Sequence, residues 1–526
     1  MSETQVETER KYEGASLPGR LDGLPGVALA EAADPQELDA VYYDTPDRRL
    51  LRRRITLRRR SGGDDAGWHL KLPLGADSRQ EVRVPLDTGG PQEMPADLAL
   101  RVAVHARGAT LRPVAHLRTH RARRLLRDEH GRVLAELTED RVAAQVLDAD
   151  RGPADRAGGG SAEIKGWTEV EAELAHGSPA LLDRIDTAFT EAGLTLSPWP
   201  SKLARALGRD GGAHAPAEQR RTTAAKPGSA GALVLADFRA LLDDLLLLDP
   251  AVRRGEVDSV HRMRVTARRL RSLLKAHRRL FDRRHSDPLA TGLRRLGRTL
   301  GGARDQEVLG ELLVAGLPEV PAWARGGTLR GLLTERHARG YRRAWERAVA
   351  ELDSAWYFTL LDRLDAFAAD PPLRRRAGTP ATGYLAHVLR REQRRTLKRL
   401  DRALRTAPGP RQDQALHRAR KAAKRARYTA ESAHAPLPRR AVRRAHRFGA
   451  RMKELHKVLG VHQDSVVARR ALITLATDAE GDTRARRHAF ACGVLHERQR
   501  QLAESAVEQV PRLRERAARR RATRLR

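Results

Sequence analysis

The first 210 residues alternate between apolar and charged positions with a period of two. The clearest runs lie around Glu7, Leu57 and Leu70, where charged and apolar side chains follow each other residue by residue. Residues two apart in a β-strand share a face, so each run predicts a strand with one charged face. Turn-forming stretches such as 44–47 and 61–65 separate the runs. This half therefore predicts many short antiparallel strands that close, or nearly close, into a barrel.

The rest of the chain changes to the spacing of helices, and turn residues typical of β-sheets become scarce. A comparison of this half with itself reveals a repeat. His261 recurs as His417, 156 residues later, and a similar ladder of Arg and Lys follows each histidine. The stretches 300–305 and 459–464 are also similar. The second half is therefore predicted to be all-α and built from two copies of one helical motif.

Charge divides the chain at the same place. Residues 1–210 hold 31 Lys and Arg against 34 Asp and Glu, whereas residues 211–526 hold 69 against 33. The net charge of +33 therefore comes from the helical half, which predicts polyanionic partners. Gly, Ala, Pro and Ser dominate the junction and indicate a tether. The predicted segments are a barrel at 1–210, a flexible linker at 211–230, a helical unit at 231–510 and a basic tail at 511–526.

The sequence also argues for the compartment. The single cysteine, Cys492, cannot form an intramolecular disulfide, and no cluster of Cys and His has zinc-ligand spacing. The acidic stretch 1–7 lacks the apolar core of a signal peptide, and Asp243 and Asp244 interrupt the longest apolar run. These features predict a cytoplasmic protein without a membrane partner. The sequence contains no Walker A loop and no kinase signature, which disfavours a nucleotide motor.

The charged strand faces allow two interpretations. Each face could be the solvated side of a sandwich, which is the usual explanation for any single strand. Acidic residues, however, cluster on the first and last strands, while Arg and Lys occupy the middle ones. If these faces point into a barrel, carboxylates can hold a hard divalent cation while Arg and Lys bind phosphate oxygens. Such a lumen is costly to desolvate, so it requires water and ions inside.

These strands resemble the CYTH family, the triphosphate tunnel metalloenzymes, over roughly residues 1–207. The motifs occur in family order: the ExExK signature Glu7-Thr8-Glu9-Arg10-Lys11, then Tyr43-Asp44-Thr45, Leu57-Arg58-Arg59-Arg60, His69-Leu70-Lys71, Glu81-Val82-Arg83, Glu169-Val170-Glu171-Ala172-Glu173-Leu174 and Ser201-Lys202-Leu203. The resemblance implies an eight-stranded antiparallel tunnel that cleaves triphosphates or binds phosphorylated ligands, with Mg²⁺ or Mn²⁺ as cofactor.

The resemblance also implies roles for individual residues. The implied metal ligands are Glu7, Glu9, Glu136, Asp140, Glu169, Glu171 and Glu173. The implied catalytic set, in which the basic residues clamp phosphate, is Glu7, Glu9, Lys11, Arg58, Arg60, Lys71, Arg83, Arg118 and Lys202. His116 and His120 stand where family members often carry Lys or Arg, which leaves the preferred substrate length open.

These residue types support metal-assisted hydrolysis of a phosphoanhydride. A metal can neutralise phosphate oxygens and orient the attacking water, while fixed Arg and Lys stabilise charge on the transferred phosphoryl group. The expected activity is that of an inorganic triphosphatase. Thiamine triphosphate hydrolysis and cyclic AMP synthesis stay open, because one fold supports several reactions.

The repeated helices carry two basic stripes. At about 100° per residue, His261, Arg264, Arg268, Arg271 and Lys275 fall on one side of their helix, beside an apolar stripe. A solvated face would explain one such stripe but not the same stripe twice. Like charges three or four residues apart repel by a few tenths of a kcal/mol. A bound anion is the simplest compensation.

This pattern resembles the CHAD domain, the conserved histidine α-helical domain, over about residues 230–510. The resemblance implies two related helical halves around a basic pore or groove that binds inorganic polyphosphate, with the repeated helices facing one another. The implied polyphosphate-binding residues are His261, Arg264, Arg268, Arg269, Arg271, Lys275, His417, Arg420, Lys424, Arg425 and Arg427.

Together these arguments predict a multi-domain α+β protein, with a CYTH-like tunnel followed by a CHAD-like two-repeat helical bundle. The expected function is metal-dependent hydrolysis of inorganic triphosphate or polyphosphate, with polyphosphate bound by the helical domain. Association with polyphosphate granules would follow. The alternative is a non-catalytic protein that binds or targets polyphosphate. Nucleic acid is a disfavoured partner, because aromatic residues make up only 4% of the chain and none interleaves the basic stripes. The oligomeric state is left open.

Overall fold

The structure, a computed structural model, describes residues 2–19, 21, 23–75, 77–86, 93–147, 164–208, 225–477 and 483–519. The chain forms two compact units, Met1–Gln219 and Arg220–Arg526. The linker expected at 211–230 lies outside the described residues as far as 224. Beyond that point Ser229 caps the first helix of the second unit, where its hydroxyl accepts a hydrogen bond from the amide of Ala232.

The first unit is an eight-stranded antiparallel β-barrel, as predicted. Its strands are β1 (Glu3–Glu13), β2 (Leu29–Asp44), β3 (Thr56–Ser61), β4 (Gly67–Pro73), β5 (Ser78–Pro85), β6 (Arg112–Arg127), β7 (Val133–Val146) and β8 (Ile164–Leu174). They follow the order β5-β4-β3-β2-β6-β7-β8-β1, and the pairing of β1 with β5 closes the ring. A two-residue strand, β9 (Thr195–Leu196), pairs with β1.

The apolar faces of the strands point outward and are covered by helices. Helix α1 (Ala96–Ala106) packs Leu98 and Val102 against β3, β4 and β5. Helix α2 (Pro179–Glu191) packs Phe189 against Tyr12 of β1, with the two ring centroids 4.8 Å apart. Since side chains alternate along a strand, the charged faces point into the barrel. This arrangement decides between the two interpretations of the charged faces in favour of the lumen.

A short helix brings a lysine into the barrel. Helix α3 (Lys202–Leu207) begins at Ser201, whose hydroxyl accepts a hydrogen bond from the amide of Ala204. Leu203 and its apolar neighbours pack against residues of β2, β6 and β7. This packing fixes the helix, and Lys202 at its first position reaches the charged interior.

The second unit is helical and shows the sequence repeat in its fold. Its helices are α4 (Ala230–Arg253), α5 (Ser259–Ala276), α6 (Arg283–Gly316), α7 (Ala322–Leu352), α8 (Ala355–Ala369), α9 (Ala381–Leu404), α10 (Pro410–Glu431), α11 (Arg439–Thr477) and α12 (Thr483–Ala518). Helices α4 to α7 correspond in order to α9 to α12, and α8 lies between the two sets. The repeated histidines lie on α5 and α10.

The C-terminal helix extends into the segment that was expected to be a tail at 511–526. Helix α12 continues to Ala518, and the buried carbonyl of Ala517 accepts a hydrogen bond of 2.7 Å from Gln393. The residues up to 518 therefore pack as part of the bundle. Cys492 is buried in the same helix with a free thiol. Within the ranges that the structure describes, no helix is both long enough and apolar enough to cross a bilayer.

Candidate functional site

Charged side chains from six strands, the turn between β3 and β4 and the start of α3 meet in a cavity of about 70 Å³ inside the barrel. The acids that line it are Glu7, Glu9, Asp65, Glu81, Glu171 and Glu173. The bases are Lys11, Arg58, Arg60, Lys71, Arg79, Arg83, Arg121 and Lys202. Eight bases against six acids leave the lining with an excess of positive charge when every group is ionised. This excess of positive charge attracts anions, while the carboxylates in the same lining can attract a cation.

Most of the site residues predicted for the barrel come together in this cavity. Those that line it are Glu7, Glu9, Lys11, Arg58, Arg60, Lys71, Arg83, Glu171, Glu173 and Lys202. Asp140 and Glu169 are buried beside it, where their carboxylate oxygens lie 2.8 and 2.9 Å from the Lys202 ammonium nitrogen. Glu136 does not line the cavity: it is partly exposed and pairs with Arg123 at 2.8 Å.

Arg118 is the predicted residue that the structure places elsewhere. It lies on the outer face of β6, its side chain is 76% exposed, and its Nε lies 3.5 Å from Asp39. His116 and His120 share this face, where they contact Asp39 and Glu37. The prediction for Arg118 was wrong because β6 carries polar residues on both faces, so alternation alone does not decide which face is inside. Arg118 therefore does not line the cavity that holds most of the other predicted residues.

The residue that takes the inward position is Arg121. It donates hydrogen bonds of 2.8 and 2.7 Å to the two carboxylate oxygens of Asp140. Arg79 and Tyr42 also line the cavity although neither was predicted. The alternation of Arg79, Glu81 and Arg83 along β5 was the signal that could have identified Arg79. Tyr42 accepts a hydrogen bond of 3.3 Å from Arg58, and no charge pattern marks it.

Lys202 is the centre of the most heavily paired part of the site. Its ammonium nitrogen lies 2.7 Å from Glu171, in addition to its contacts with Asp140 and Glu169. Burial opposes the charge on Lys202, but these three carboxylates outweigh it and raise the lysine pKa well above its usual value. Burial likewise opposes the charge on Glu171, and Lys11, Lys202 and Arg121 hold the pKa of that carboxyl well below its usual range. Both groups therefore stay ionised inside the barrel.

Four carboxylates of the lining, from Glu7, Glu9, Glu171 and Glu173, lie near enough to repel one another. Glu9 and Glu173 are direct cross-strand partners in the pairing of β1 with β8. Like charges in this position destabilise a sheet. Burial, followed by the charges of Glu7, Glu9 and Glu171, raises the pKa of Glu173 to about 7. Glu9 differs from Glu173: burial opposes its charge, but Lys11, Lys71 and Arg79 lower its pKa to about 2.

The donor chemistry of these carboxylates fits a hard divalent cation. Mg²⁺ and Mn²⁺ prefer carboxylate oxygen, and Glu7, Glu9, Glu171 and Glu173 supply it in one cavity. The ligands are not preassembled: in the parts of the chain that the structure describes, no three Asp, Glu, His or Cys form a group able to hold a metal. Ammonium groups are bound there instead, with Lys71 2.6 Å from Glu7 and Lys11 3.3 Å from Glu9.

The basic helices of the second unit lie side by side. Arg268 of α5 is 3.5 Å from the Tyr428 hydroxyl of α10. The two halves repeat the same contacts. The Arg264 guanidinium lies 3.6 Å from the position that a Cβ would take at Gly301, and the Arg420 guanidinium lies 3.5 Å from the corresponding position at Gly460. The repeat in sequence is therefore also a repeat in side-chain arrangement.

Several basic side chains in this cluster have a buried nitrogen that makes no hydrogen bond within the described residues. These atoms are the Nδ1 atoms of His261 and His417, and the Nε atoms of Arg268, Arg271 and Arg420. Buried polar groups are normally satisfied, so the cluster holds hydrogen-bonding capacity that its own side chains do not use. Among these atoms, the two histidine nitrogens occupy equivalent positions of the two repeats.

Lys424 shows the electrostatic result of this clustering. Burial lowers the pKa of its ammonium group, and repulsion from Arg268, Arg420 and Arg264 lowers it further, to about 6. His456 of α11, which was not predicted, is buried beside the same cations, and its pKa falls to about 3. An anion bound here would favour protonation of both groups.

The remaining predicted residues of the stripes are partly paired. Arg425 lies 2.7 Å from Glu392, and Arg427 lies 2.7 Å from Glu431. Arg269 also approaches Glu431, at 4.0 Å. Arg271 and Lys275 have lowered pKa values, first through burial and then through neighbouring cations. Arg264 pairs with Asp305 at 3.0 Å. The stripes therefore contain a central unpaired cluster, here meaning the nitrogen atoms without a partner on His261, Arg268, Arg271, His417 and Arg420, and other positions that acidic residues balance.

The expectation that no aromatic side chain interleaves the stripes was wrong at one position. Tyr428 lies among them, with the Lys424 ammonium 6.0 Å and the Arg427 guanidinium 5.3 Å from its ring centroid. The sequence position of Tyr428 follows Arg427 directly, so the spacing of the stripe hides it. Cations already contact this ring, and a base-stacking platform would need several free rings.

Comparisons with known proteins match both units. The CYTH domain profile matches residues 5–207, and the CHAD domain profile matches residues 236–473. Two Mycobacterium tuberculosis proteins, "Uncharacterized protein MT2285" (strain CDC 1551 / Oshkosh) and "Uncharacterized protein Rv2226" (strain ATCC 25618 / H37Rv), are each 36% identical over 513 residues. Each alignment covers 96% of this chain and 95% of the relative.

Solved structures of lower similarity match parts of the chain. PptA from Streptomyces chartreusis has 21% identity and a TM-score of 0.44, and the match covers 54% of this chain and 99% of PptA. The CHAD domain from the plant Ricinus communis has 25% identity and a TM-score of 0.41, covering 55% of this chain and 96% of that domain.

The profile matches confirm both resemblances. The CYTH family is a triphosphate-tunnel family with hydrolase and cyclase members that bind triphosphate substrates. Its members generally depend on a divalent metal. With the near full-length relatives, these matches establish that the chain belongs to the family of proteins in which a CYTH triphosphate-tunnel domain is followed by a CHAD domain.

Proposed function

We propose that the barrel hydrolyses inorganic triphosphate or polyphosphate with Mg²⁺ or Mn²⁺, and that the helical domain binds polyphosphate. The observation that carries this proposal is the inward orientation of eight bases and six acids in one closed barrel. Three helices cover apolar outer residues of the barrel, which is expected when the charged faces are the inner ones. A short, highly charged anion with its metal fits such a cavity.

The basic residues of the barrel would bind and orient the substrate. Arg58 and Arg60 come from β3, Lys71 from β4 and Arg83 from β5, so they surround the lumen from adjacent strands. Guanidinium groups match phosphate oxygens in pairs, and a fixed cation stabilises charge on the phosphoryl group in the transition state. Arg121, which the Asp140 carboxylate holds in place, extends this clamp.

The carboxylates would hold the metal. Glu7, Glu9, Glu171 and Glu173 are the residues that we assign to this role. When bound, a divalent metal supplies charge neutralisation at phosphate oxygens and activation of the attacking water. Lys11 and Lys71 now contact these carboxylates, so they would turn toward the phosphate oxygens when the metal and substrate enter. Lys202 keeps Glu171 oriented throughout.

The helical domain would bind polyphosphate through the central unpaired cluster. Long polyphosphate offers phosphate oxygens along its whole length, and the two repeats offer equivalent buried donors at His261 and His417. The barrel and the helical domain belong to one chain, so capture of a long polyanion raises its local concentration near the tunnel.

A non-catalytic role is the second candidate function. It is favoured by the pairing of the barrel carboxylates with lysines in place of a preformed metal group among the described residues. In that case the barrel would bind phosphates without cleaving them, and the protein would act by binding or targeting polyphosphate.

Orthophosphate release by the full chain separates the two candidates. The substrates are inorganic triphosphate, long-chain polyphosphate, thiamine triphosphate and ATP, each with Mg²⁺, Mn²⁺ or EDTA. We expect metal-dependent release from an inorganic substrate, and we expect Glu9→Gln to reduce it by two orders of magnitude or more. Arg118→Gln is the matched control on the outer face and should keep wild-type activity. Absence of turnover with every substrate would favour the non-catalytic role.

Competition binding tests the ligand of the helical domain. We expect Arg264→Glu with Arg420→Glu to abolish polyphosphate binding, while triphosphate hydrolysis persists. The matched control is Arg262→Glu with Arg418→Glu, which makes the same charge change on exposed positions of the same helices. RNA at equal charge and salt concentration should fail to displace polyphosphate. Displacement by RNA would overturn the assignment of the ligand.

A further inference from the structure

A cavity of about 100 Å³ lies between α4, α5 and α10, next to the basic stripes but chemically unlike them. Three carboxylates, from Asp237, Asp244 and Glu431, line it together with the single guanidinium of Arg269. Apolar side chains such as Leu241 complete the wall. A pocket with this lining suits a cation that has an apolar body, in contrast to the anion-binding surface beside it.

Two residues that line this cavity each have a buried polar atom without a hydrogen-bond partner within the described residues. His277 is 1% exposed, its Nδ1 lies 3.2 Å from the Tyr384 hydroxyl, and its buried Nε2 has no partner within the described residues. Asp237 uses Oδ1 in a contact of 2.9 Å with His434, while its Oδ2 is buried without a hydrogen bond in the same residue set. If the imidazole donates from Nδ1 to Tyr384, Nε2 is an acceptor. Both free atoms can then accept a hydrogen bond.

The spacing of the carboxylates suggests a ligand with two positive ends. Asp237 and Asp244 are seven residues apart on α4, which places them on one face of the helix and about 10 Å apart along its axis. An engineered cavity of about 150 Å³ accepts the six carbon atoms of benzene, so this cavity of about 100 Å³ has room for about four non-hydrogen atoms, and the far end of a longer ligand must lie at the mouth. A metal ion is disfavoured, because no group of three metal-ligating side chains forms here within the described residues.

We propose that this cavity binds a short alkyl diammonium ion, of which 1,4-diaminobutane is the test compound. One ammonium group donates hydrogen bonds to Asp237 Oδ2 and His277 Nε2, the methylene chain lies along Leu241 and Leu273, and the second ammonium group faces Asp244 at the mouth. Glu431 is the acceptor at the side of α10.

Glu431 couples this site to the polyanion surface, a consequence that rests on the proposed function. Its carboxylate is shared by Arg427 at 2.7 Å and Arg269 at 4.0 Å, two residues of the basic stripes. A diammonium ion that takes part of this carboxylate releases the two guanidinium groups for phosphate. Diamine and polyphosphate should therefore strengthen each other's binding by the same factor, because coupling between two sites is reciprocal.

Isothermal titration calorimetry with the full chain and 1,4-diaminobutane, without any phosphate, tests the site by itself. We expect saturable binding at one site that Asp237→Asn weakens about tenfold or more, the loss typical of a buried charged hydrogen bond. Butylamine should bind more weakly, and 1,4-butanediol should not bind. Asp287→Asn, at an exposed carboxylate on α6, is the control variant and should bind like the wild type.

Several results would overturn the proposal. These are the absence of binding, equal binding by the Asp237 and Asp287 variants, equal binding of the diol, or displacement of the diamine by Mg²⁺ at millimolar concentration. Circular dichroism checks the fold of each variant, and Asp244→Asn at the exposed mouth provides a second test if Asp237→Asn unfolds. Because phosphate is absent, failure here leaves the polyphosphate assignment intact. Diamine binding without any effect on polyphosphate affinity would overturn only the coupling.

Discussion

The barrel and the helical domain manage buried charge in opposite ways. In the barrel, each ammonium group that enters the lumen meets carboxylates, as Lys202 meets Asp140, Glu169 and Glu171. In the helical domain, Lys424 is buried among Arg264, Arg268 and Arg420. The pKa of Lys202 is raised and that of Lys424 is lowered, although burial alone would lower both.

This difference matches what each unit would have to do with an anion. A barrel that holds both a metal and a phosphate chain needs acids and bases together, and they stabilise each other while the site is empty of substrate. A surface that only captures a polyanion needs bases alone, and the repulsion among them remains until the anion binds. Repulsion in the free state then contributes to affinity, because binding relieves it.

The largest effect should come from removing the central cation of the barrel. Lys202→Met leaves three buried carboxylates without their shared partner, and breaking a buried pair in this way costs about 3–5 kcal/mol. We expect the barrel to lose this much of its free energy of unfolding, measured by urea denaturation. The control is Arg141→Ala, which removes an exposed ion pair and should cost less than about 1 kcal/mol. Equal losses in the two variants would contradict the pairing described for Lys202.

The same substitution in the helical domain should have the opposite sign. Lys424 has a pKa of about 6, so the folded domain holds its amine mostly neutral at pH 7.5, at a cost in free energy that Lys424→Met removes. The ligand-free variant should therefore gain on the order of 1 kcal/mol of unfolding free energy at that pH. Polyphosphate affinity should fall in the same variant. Thermal unfolding with and without polyphosphate measures both effects. Destabilisation of the ligand-free variant would show that the cluster is stable without an anion.

Polyphosphate affinity should decrease as the pH rises above about 6. The free domain holds Lys424 with a pKa of about 6, and a bound polyanion raises that pKa toward the ordinary lysine value. The bound state therefore carries more protons between these two values, so binding takes up protons in that window and weakens with increasing pH. His261 and His417, whose pKa values are also lowered, add to the effect at the acidic end of the window.

Calorimetry in buffers of different ionisation enthalpy measures this proton uptake directly. Lys424→Met should reduce the uptake and flatten the dependence of affinity on pH between 6 and the alkaline end of the window.

The smallest expected effect belongs to the outer face of the barrel. Replacement of His116 by Gln should leave triphosphate hydrolysis within about twofold of wild type, because His116 faces Asp39 outside the lumen.

The sequence predicted the lumen well where only one face of a strand is charged. Along β4 the apolar residues Trp68, Leu70 and Leu72 alternate with His69 and Lys71, so the choice of the inner face follows once the barrel is assumed. The outer faces of β1 and β3 each carry one charged residue, Arg10 and Arg59, but the motifs at Glu7 and Arg58 still identified the inner residues. Prediction failed on β6, where Arg118 and Arg121 stand on opposite faces and both faces are polar. Only the pairing of β6 with β2 and β7 decides which arginine is inside.

The helical site was predictable to the level of the helix face and no further. The repeat identified α5 and α10, and their stripes identified the cluster. Whether a basic residue of the stripes has an ion-pair partner depends on acidic residues from other helices. Glu392 of α9, which lies beside Arg425, is an example. His456 and Tyr428 enter the cluster through packing, which spacing along one helix does not report. The acidic cavity beside the stripes arises in the same way, from the consecutive helices α4 and α5 and the distant helix α10.

The most direct test of the account compares two variants of the full chain in two assays, metal-dependent orthophosphate release from triphosphate and binding of long-chain polyphosphate. The account predicts that Glu9→Gln loses release and keeps binding, whereas Arg264→Glu with Arg420→Glu loses binding and keeps release. Loss of both activities in either folded variant, or of neither, would contradict a catalytic barrel joined to a separate polyphosphate-binding surface.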